Sequence, residues 1–136
     1  MGTFEQPLVD EDLTDDERRF LFLLLNEYDG PAKRAYQLLC PVMGLSNEGG
    51  WDRLIHRLMA AIQNKEPLSD LDWARTLFLA EISYGSSLVG SGLDFGTSRD
   101  DDWIALLRSI QRKLGSYQGF RLLVANAHYS PSSTTP

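Results

Sequence analysis

The sequence predicts an all-α fold, a compact bundle of five or six helices joined by short connections. Two observations support this prediction. Apolar residues recur at helical spacing along most of the chain, and no run of alternating polar and apolar residues indicates a sheet. The length of 136 residues suits a single domain, and the 43% hydrophobic content suits a packed core. The presence of only one cysteine excludes a disulfide framework.

The first helix is predicted to begin near Asp15, because Thr14 and Glu17 have the spacing of a capping box. It is expected to end at about Tyr28, where Asp29-Gly30-Pro31 forms a turn. The residues predicted to face the core are Leu21, Leu24, Leu25 and Tyr28. Because Phe20, Phe22 and Leu23 extend beyond that face, this helix is predicted either to lie at the centre of the bundle or to leave part of its apolar surface exposed.

The second and third helices are predicted on either side of a turn at residues 44–46. The second helix covers about Pro31 to Leu39, and Pro41 prevents its continuation. The third helix covers about Gly50 to Gln63, with a clean amphipathic pattern. Its predicted core residues are Trp51, Leu54, Ile55, Leu58, Met59 and Ile62.

The second half of the chain is predicted to hold two long helices separated by a glycine-rich loop. Ser69 caps the fourth helix, which covers about Asp70 to Tyr84. The fifth begins after a cap at Thr97 or Ser98 and ends before Gly115. Residues 120–127 fit either a short helix or a strand. The helical domain is predicted to cover residues 13–129, and residues 130–136 to form a disordered tail.

The charge of the chain is strongly asymmetric. The net charge is −6, and seven of the 19 acidic residues lie in the first seventeen positions, where there is no Lys or Arg. Residues 1–12 are therefore predicted to form an acidic arm. An acidic protein associates faster with a basic partner because of electrostatic steering. The predicted contact residues are Asp12, Asp15, Asp16, Arg19 and Phe22.

The small size, the acidic arm and the surplus of apolar residues on the first helix indicate a non-enzymatic interaction protein. The concrete version of this hypothesis is an inhibitor of the immunity or antitoxin type, which neutralises or regulates a protein partner. The same apolar surplus would also suit a homodimer, and the sequence leaves this alternative open.

A DNA-binding regulator is the first alternative function. The second and third predicted helices and the turn between them have the order of a helix-turn-helix motif. Phosphate or base contacts would come from basic and polar side chains on these two helices, namely Lys33, Arg34, Arg53, His56 and Arg57. Two features argue against this alternative. The acidic arm would repel phosphate, and Gly49-Gly50 would be a poor start for a recognition helix because glycine disfavours helix.

A small enzyme is the second alternative. Glu81 falls in the middle of the apolar arc of the fourth helix, so its carboxylate is predicted to be buried. A catalytic site would require a second group, for which Asp94 in the glycine-rich loop is the candidate; otherwise the two carboxylates organise that loop. No cofactor or metal is predicted, because Cys40 and the two histidines have no ligand spacing. Without an apolar segment of about 20 residues or a secretory signal, the expected location is the cytoplasm, with no membrane contact.

The second half of the chain resembles small uncharacterised proteins of actinobacteria. The resemblance covers about residues 67–114. It rests on Pro67-Leu68-Ser69, Asp72-Trp73, Glu81, Gly90 to Phe95, Leu107-Arg108 and Gln111 to Leu114. It implies that the fourth helix, the glycine-rich loop and the fifth helix form one unit, and it implies no activity.

Overall fold

The computed structural model of the protein describes residues 7–30, 32–85 and 100–127. The predicted all-α fold is confirmed, since this part of the chain forms six α-helices and one small sheet. The α-helices are α1 (Asp15–Asn26), α2 (Tyr36–Leu39), α3 (Glu48–Gln63), α4 (Asp70–Gly85), α5 (Asp100–Leu114) and α6 (Tyr117–Asn126). The strands are β1 (Leu8–Val9) and β2 (Leu68–Ser69), and two short 3-10 helices cover Glu27–Asp29 and Lys33–Ala35.

The central position predicted for the first helix is confirmed, because α1 packs against α3, α4 and α5. The capping box is present: Thr14 Oγ1 accepts a hydrogen bond from the backbone N–H of Glu17, whose side chain accepts one from the backbone N–H of Thr14. The four predicted core residues are all buried, and so is Phe20. Phe22 and Leu23 are half-buried.

The second predicted helix is wrong in extent. Residues 33–35 form a 3-10 helix, and α2 is a single α-helical turn of four residues. Neither segment has a side-chain cap, because Ala32 and Ala35 occupy the two N-cap positions. Without a cap the first N–H groups gain no side-chain acceptor, which disfavours a longer regular helix.

The third helix begins two residues earlier than predicted, at Glu48. Asn47 is the reason, since its Oδ1 accepts a 2.8 Å hydrogen bond from the backbone N–H of Gly50. This cap offsets the low helix propensity of Gly49 and Gly50 in the first turn. All six predicted core residues of this helix are buried.

Residues 7–12, part of the predicted acidic arm, are attached to the helical domain, and this corrects the predicted boundary between arm and domain. β1 pairs with β2 in antiparallel register and forms a small sheet that no alternating pattern in the sequence indicated. The buried Trp73 donates a 2.8 Å hydrogen bond from Nε1 to the carbonyl oxygen of Val9, and Arg18 donates one to the carbonyl oxygen of Glu11. Two-residue strands are too short for a sequence pattern to reveal.

Ser69 caps α4 as predicted, because its Oγ accepts a hydrogen bond from the backbone N–H of Asp72. The open choice at residues 120–127 is resolved as a helix, since α6 covers Tyr117–Asn126 and packs against α4. The predicted glycine-rich loop with Asp94, the caps at Thr97 and Ser98, and the predicted tail 130–136 lie outside the described residues.

Candidate functional site

Four of the five predicted partner-contact residues share one surface of α1, here called the helix-1 surface: Asp15, Asp16, Arg19 and Phe22. The first three are exposed, and Phe22 is half-buried. Asp12, the fifth residue, is exposed in the segment before the helix. A groove of about 510 Å³ between α1 and α5 begins at this surface and is lined by Asp16, Arg19, Phe20, Trp103 and Leu106 among others. Phe20 stacks on Trp103, with 4.8 Å between the ring centroids.

The acids of the helix-1 surface are already paired with neighbouring cations. Asp15 Oδ1 lies 3.0 Å from Lys65 Nζ, and Asp16 Oδ1 lies 3.4 Å from Arg19 Nη1. The hydrogen bond from Lys65 lowers the pKa of Asp15. The helix-1 surface is therefore closer to charge balance than the sequence indicates. Exposed pairs of this kind are weak, so a basic partner can displace the cations at little cost.

The most deeply buried acid of the described chain is Glu17, which sequence analysis treated only as a capping residue. Glu17 is 2% exposed, and its carboxylate accepts hydrogen bonds from Ser109 and from Lys113 Nζ, the latter at 2.7 Å. Burial by itself raises the pKa of Glu17. The hydrogen bonds from Lys113, Ser109 and Thr14 outweigh burial, and the pKa lies below its ordinary value. Ser109 and Lys113 lie 92 and 96 positions away from Glu17 in the chain, so no local pattern indicates them.

The residues of the predicted helix-turn-helix do not form that motif, because its first helix is reduced to one α-helical turn. Lys33 and Arg34 are exposed on the 3-10 helix, and Arg53 is exposed on α3. His56 Nε2 and Asp29 Oδ1 are 2.9 Å apart. The fifth residue, Arg57, forms a salt bridge with Asp72.

Asp72 is a second buried acid, and its burial was not predicted from the sequence. It is 7% exposed and accepts hydrogen bonds from Arg57 and from Arg75 Nη1, the latter at 2.8 Å. Arg75 in turn donates a hydrogen bond to the carbonyl oxygen of Met43, so this cluster links α3, α4 and the loop after α2. Arg57 is therefore part of an ion-pair network, and a phosphate would have to compete with Asp72 for it.

The prediction that Glu81 is a buried carboxylate is wrong: Glu81 is half-buried on α4. Its Oε2 accepts a 2.8 Å hydrogen bond from Gln111 Nε2 of α5, and Gln111 Oε1 accepts one from Arg108. The burial of Glu81 was predicted from the apolar arc of α4 around it, but this arc faces a crevice rather than a filled core. Asp94, its predicted companion, lies outside the described residues.

That crevice, here called the Glu81 crevice, lies where α4, α5 and α6 meet. Its volume is about 140 Å³. Of the described residues that line it, only Glu81 is ionisable, and the larger side chains are Leu77, Phe78, Leu114, Phe120 and Leu123. Gly119 allows the close approach of α6, since a Cβ there would lie 3.4 Å from Ala74 Cβ and 3.1 Å from Ser116 Oγ.

Three large apolar side chains form an exposed stripe on α6, here called the α6 stripe. Tyr117 is 76% exposed, Phe120 61% and Val124 42%. At about 100° per residue they fall within an arc of about 60°, and the buried residues Gly119 and Leu123 lie beside this arc, next to Phe120. The Arg121 guanidinium lies 5.9 Å from the ring centroid of Tyr117. The stripe was not predicted, because the sequence pattern of residues 120–127 fits a helix and a strand equally well.

Two further observations apply to residues 7–30, 32–85 and 100–127. No group of three or more His, Cys, Asp or Glu side chains is arranged so that it could hold a metal ion. No helix is long and apolar enough to span a membrane.

The chain matches no protein-family model, no curated protein and no solved structure. The resemblance of residues 67–114 to actinobacterial proteins therefore stays a prediction.

Proposed function

We propose that the protein is a non-enzymatic interaction module that binds a protein partner and neutralises or regulates it, in the manner of an inhibitor or immunity protein. The observation that supports this proposal most directly is the α6 stripe. It offers a partner three large apolar side chains on one face of a helix that packs against α4.

The composition of the α6 stripe is that of a binding surface. Aromatic residues and arginine are enriched at the centres of protein interfaces, and Tyr117, Phe120 and Arg121 lie together on this face. Other large exposed apolar residues of the described chain, Leu8, Leu38 and Ile104, lie on three different elements. Scattered single residues of that kind are normal on a protein surface, whereas a contiguous patch indicates an interaction site.

The charge of the chain favours a basic partner. With a net charge of −6, the protein attracts cations over distances comparable to the Debye length of about 8 Å at physiological ionic strength. The exposed acids Asp12, Asp15 and Asp16 add to this attraction near α1. In this proposal the acids raise the association rate, and the α6 stripe supplies the buried contact that slows dissociation.

The test is affinity capture from the native host, followed by calorimetric titration with the purified partner. The stripe variant carries Tyr117→Ser, Phe120→Ser and Val124→Ser. The acid variant carries Asp12→Asn, Asp15→Asn and Asp16→Asn. The matched control carries Leu38→Ser and Ile104→Ser, which remove exposed apolar residues elsewhere.

The expected loss of affinity in the stripe variant is at least about 100-fold, because aromatic anchors contribute about 2 kcal/mol or more each. The acid variant is expected to bind more slowly, by about tenfold at low salt, with little change in dissociation rate. The control is expected to bind as the wild type does. A folded stripe variant with full affinity would refute the proposal.

A further inference from the structure

The Glu81 crevice and the α6 stripe form one continuous surface, because Phe120 belongs to both. Phe120 is 61% exposed, and it also lines the crevice with Leu77 and Leu123. A partner that covers the stripe therefore lies against the opening next to Glu81. The inference that follows rests on the proposed function and concerns the chemistry of that partner.

The volume of the crevice limits what can enter it. Pockets for drug-sized ligands measure about 300–1,000 Å³, whereas a cavity of about 150 Å³ accepts a group of the size of benzene. At about 140 Å³ the Glu81 crevice has room for one side chain. Its occupant is thus a single residue of the partner, and the rest of the partner remains outside on the α6 stripe.

The lining determines the type of side chain. The walls are aliphatic and aromatic, which suits a chain of methylene groups, and Glu81 supplies a negative charge. Oε2 of Glu81 accepts a 2.8 Å hydrogen bond from Gln111 Nε2, while no hydrogen bond to Oε1 is found within the described part of the chain. One available oxygen suits the point charge of an ammonium better than the two-pronged guanidinium of arginine. A lysine has both the apolar stem and the cationic tip.

We propose that the Glu81 crevice receives a lysine side chain of a basic protein partner, whose ammonium pairs with Glu81 while its apolar neighbours pack on the α6 stripe. Gln111 is a positioning residue, since it fixes the carboxylate from the other side. A foreign partner is favoured over a second copy of this chain because two copies, each with a net charge of −6, repel one another.

The test uses random twelve-residue peptides displayed on phage and selected on the immobilised full chain. Selections are run in parallel on the wild type, on Glu81→Gln, on Phe120→Ser and on Glu66→Gln, the last being an exposed carboxylate outside the crevice. Peptides selected on the wild type and on Glu66→Gln are expected to be enriched at least about fivefold in lysine flanked by apolar residues. That enrichment is expected to disappear on Glu81→Gln.

Synthetic peptides then measure the contact directly. Replacement of the selected lysine by norleucine is expected to weaken binding to the wild type about tenfold, and to have less than a twofold effect on Glu81→Gln. The norleucine and Lys→Glu peptides are also titrated into the wild type alone, so the result stands even if a protein variant fails to fold.

The outcomes separate this inference from the proposed function. Selected peptides without lysine, or lysine peptides that bind the wild type and Glu81→Gln equally, overturn the inference and leave the α6 stripe as a docking surface. Peptides that bind Phe120→Ser as well as the wild type, or a selection that enriches no peptide, overturn both. If light scattering shows that the wild type is a dimer and that Glu81→Gln dissociates it, the occupant is a second copy of this chain. That result overturns the choice of a foreign partner.

Discussion

Lys113 Nζ lies 2.7 Å from Glu17 Oε1, which joins the last turn of α5 to the first turn of α1 through a buried carboxylate. The capping box and Ser109 complete the hydrogen bonding of Glu17. This contact fixes the position of α5, and α5 in turn carries Gln111, which holds Glu81. The buried cluster thus connects the core of the protein to the proposed binding surface.

Replacement of Lys113 is expected to destabilise the protein. Lys113→Met leaves the Glu17 carboxylate buried without its cation. Loss of one partner of a fully buried pair costs about 3–5 kcal/mol. Because the Lys113 side chain is 31% exposed, we expect a smaller loss of about 2 kcal/mol in urea unfolding. The control, Arg112→Met at the exposed neighbouring position, is expected to change stability by less than about 0.5 kcal/mol. Equal losses in the two variants would contradict the account.

Acid is expected to remove the contribution of Glu17 to stability. The pKa of Glu17 in the folded protein lies below its ordinary value of 4.5, so the unfolded state binds the proton more readily. The contribution is therefore present above about pH 4.5 and is lost as the pH falls through the folded-state pKa. Glu11 acts in the opposite direction, because burial raises its pKa.

The difference in unfolding free energy between the wild type and Glu17→Gln, measured from pH 7 to pH 3, isolates the effect of Glu17. This difference is expected to shrink toward low pH. A difference that stays constant over the whole range would show that Glu17 does not titrate in this way.

Gly44 is predicted to tolerate no side chain. Its φ of +74° lies in the left-handed region, and a Cβ would lie 2.5 Å from the backbone oxygen of Asn126 at the end of α6. The backbone cannot move aside cheaply, so Gly44→Ala is expected to cost about 2–3 kcal/mol in thermal or urea unfolding. Gly85→Ala is the matched control, because a Cβ at Gly85 would meet nothing within 4 Å. A Gly44→Ala protein as stable as the control would contradict the described loop.

Deletion of residues 1–12 is expected to destabilise the protein. The deletion removes β1 and the acceptors of Trp73 Nε1 and Arg18, both of which are then left buried with fewer partners. A loss of about 2–4 kcal/mol is expected, since an unsatisfied buried donor costs about 1–3 kcal/mol. Deletion of residues 1–6 keeps all of these contacts and serves as the control. If both truncations melt at the wild-type temperature, the attachment of residues 7–12 is refuted.

Local signals in the sequence were sufficient for most of the fold. The capping box at Thr14, the amphipathic pattern of α3 and the cap at Ser69 each predicted a helix within a few residues of its observed start. The strands β1 and β2 escaped prediction and α2 was predicted too long, because elements of two to four residues span only about one period of a hydrophobic pattern.

The candidate site was harder to predict from the sequence, because it depends on contacts between segments that are far apart in the chain. The apolar arc around Glu81 predicted burial, but the position of α6 leaves a crevice beside it. The acids of α1 were recognised, but their partners were not. Asp15 pairs with Lys65, 50 positions away, and Glu17 pairs with Lys113, 96 positions away. Nothing in the local pattern of Tyr117, Phe120 and Val124 shows which side of their helix packs on α4.

The most direct test of the central claim is the footprint of the purified partner on this protein, measured by hydrogen–deuterium exchange of the backbone amides. The account predicts that bound partner slows exchange in α6, over residues 117–126, and in the part of α4 around Glu81. Protection confined to the helix-1 surface, with exchange in α6 unchanged, would contradict it.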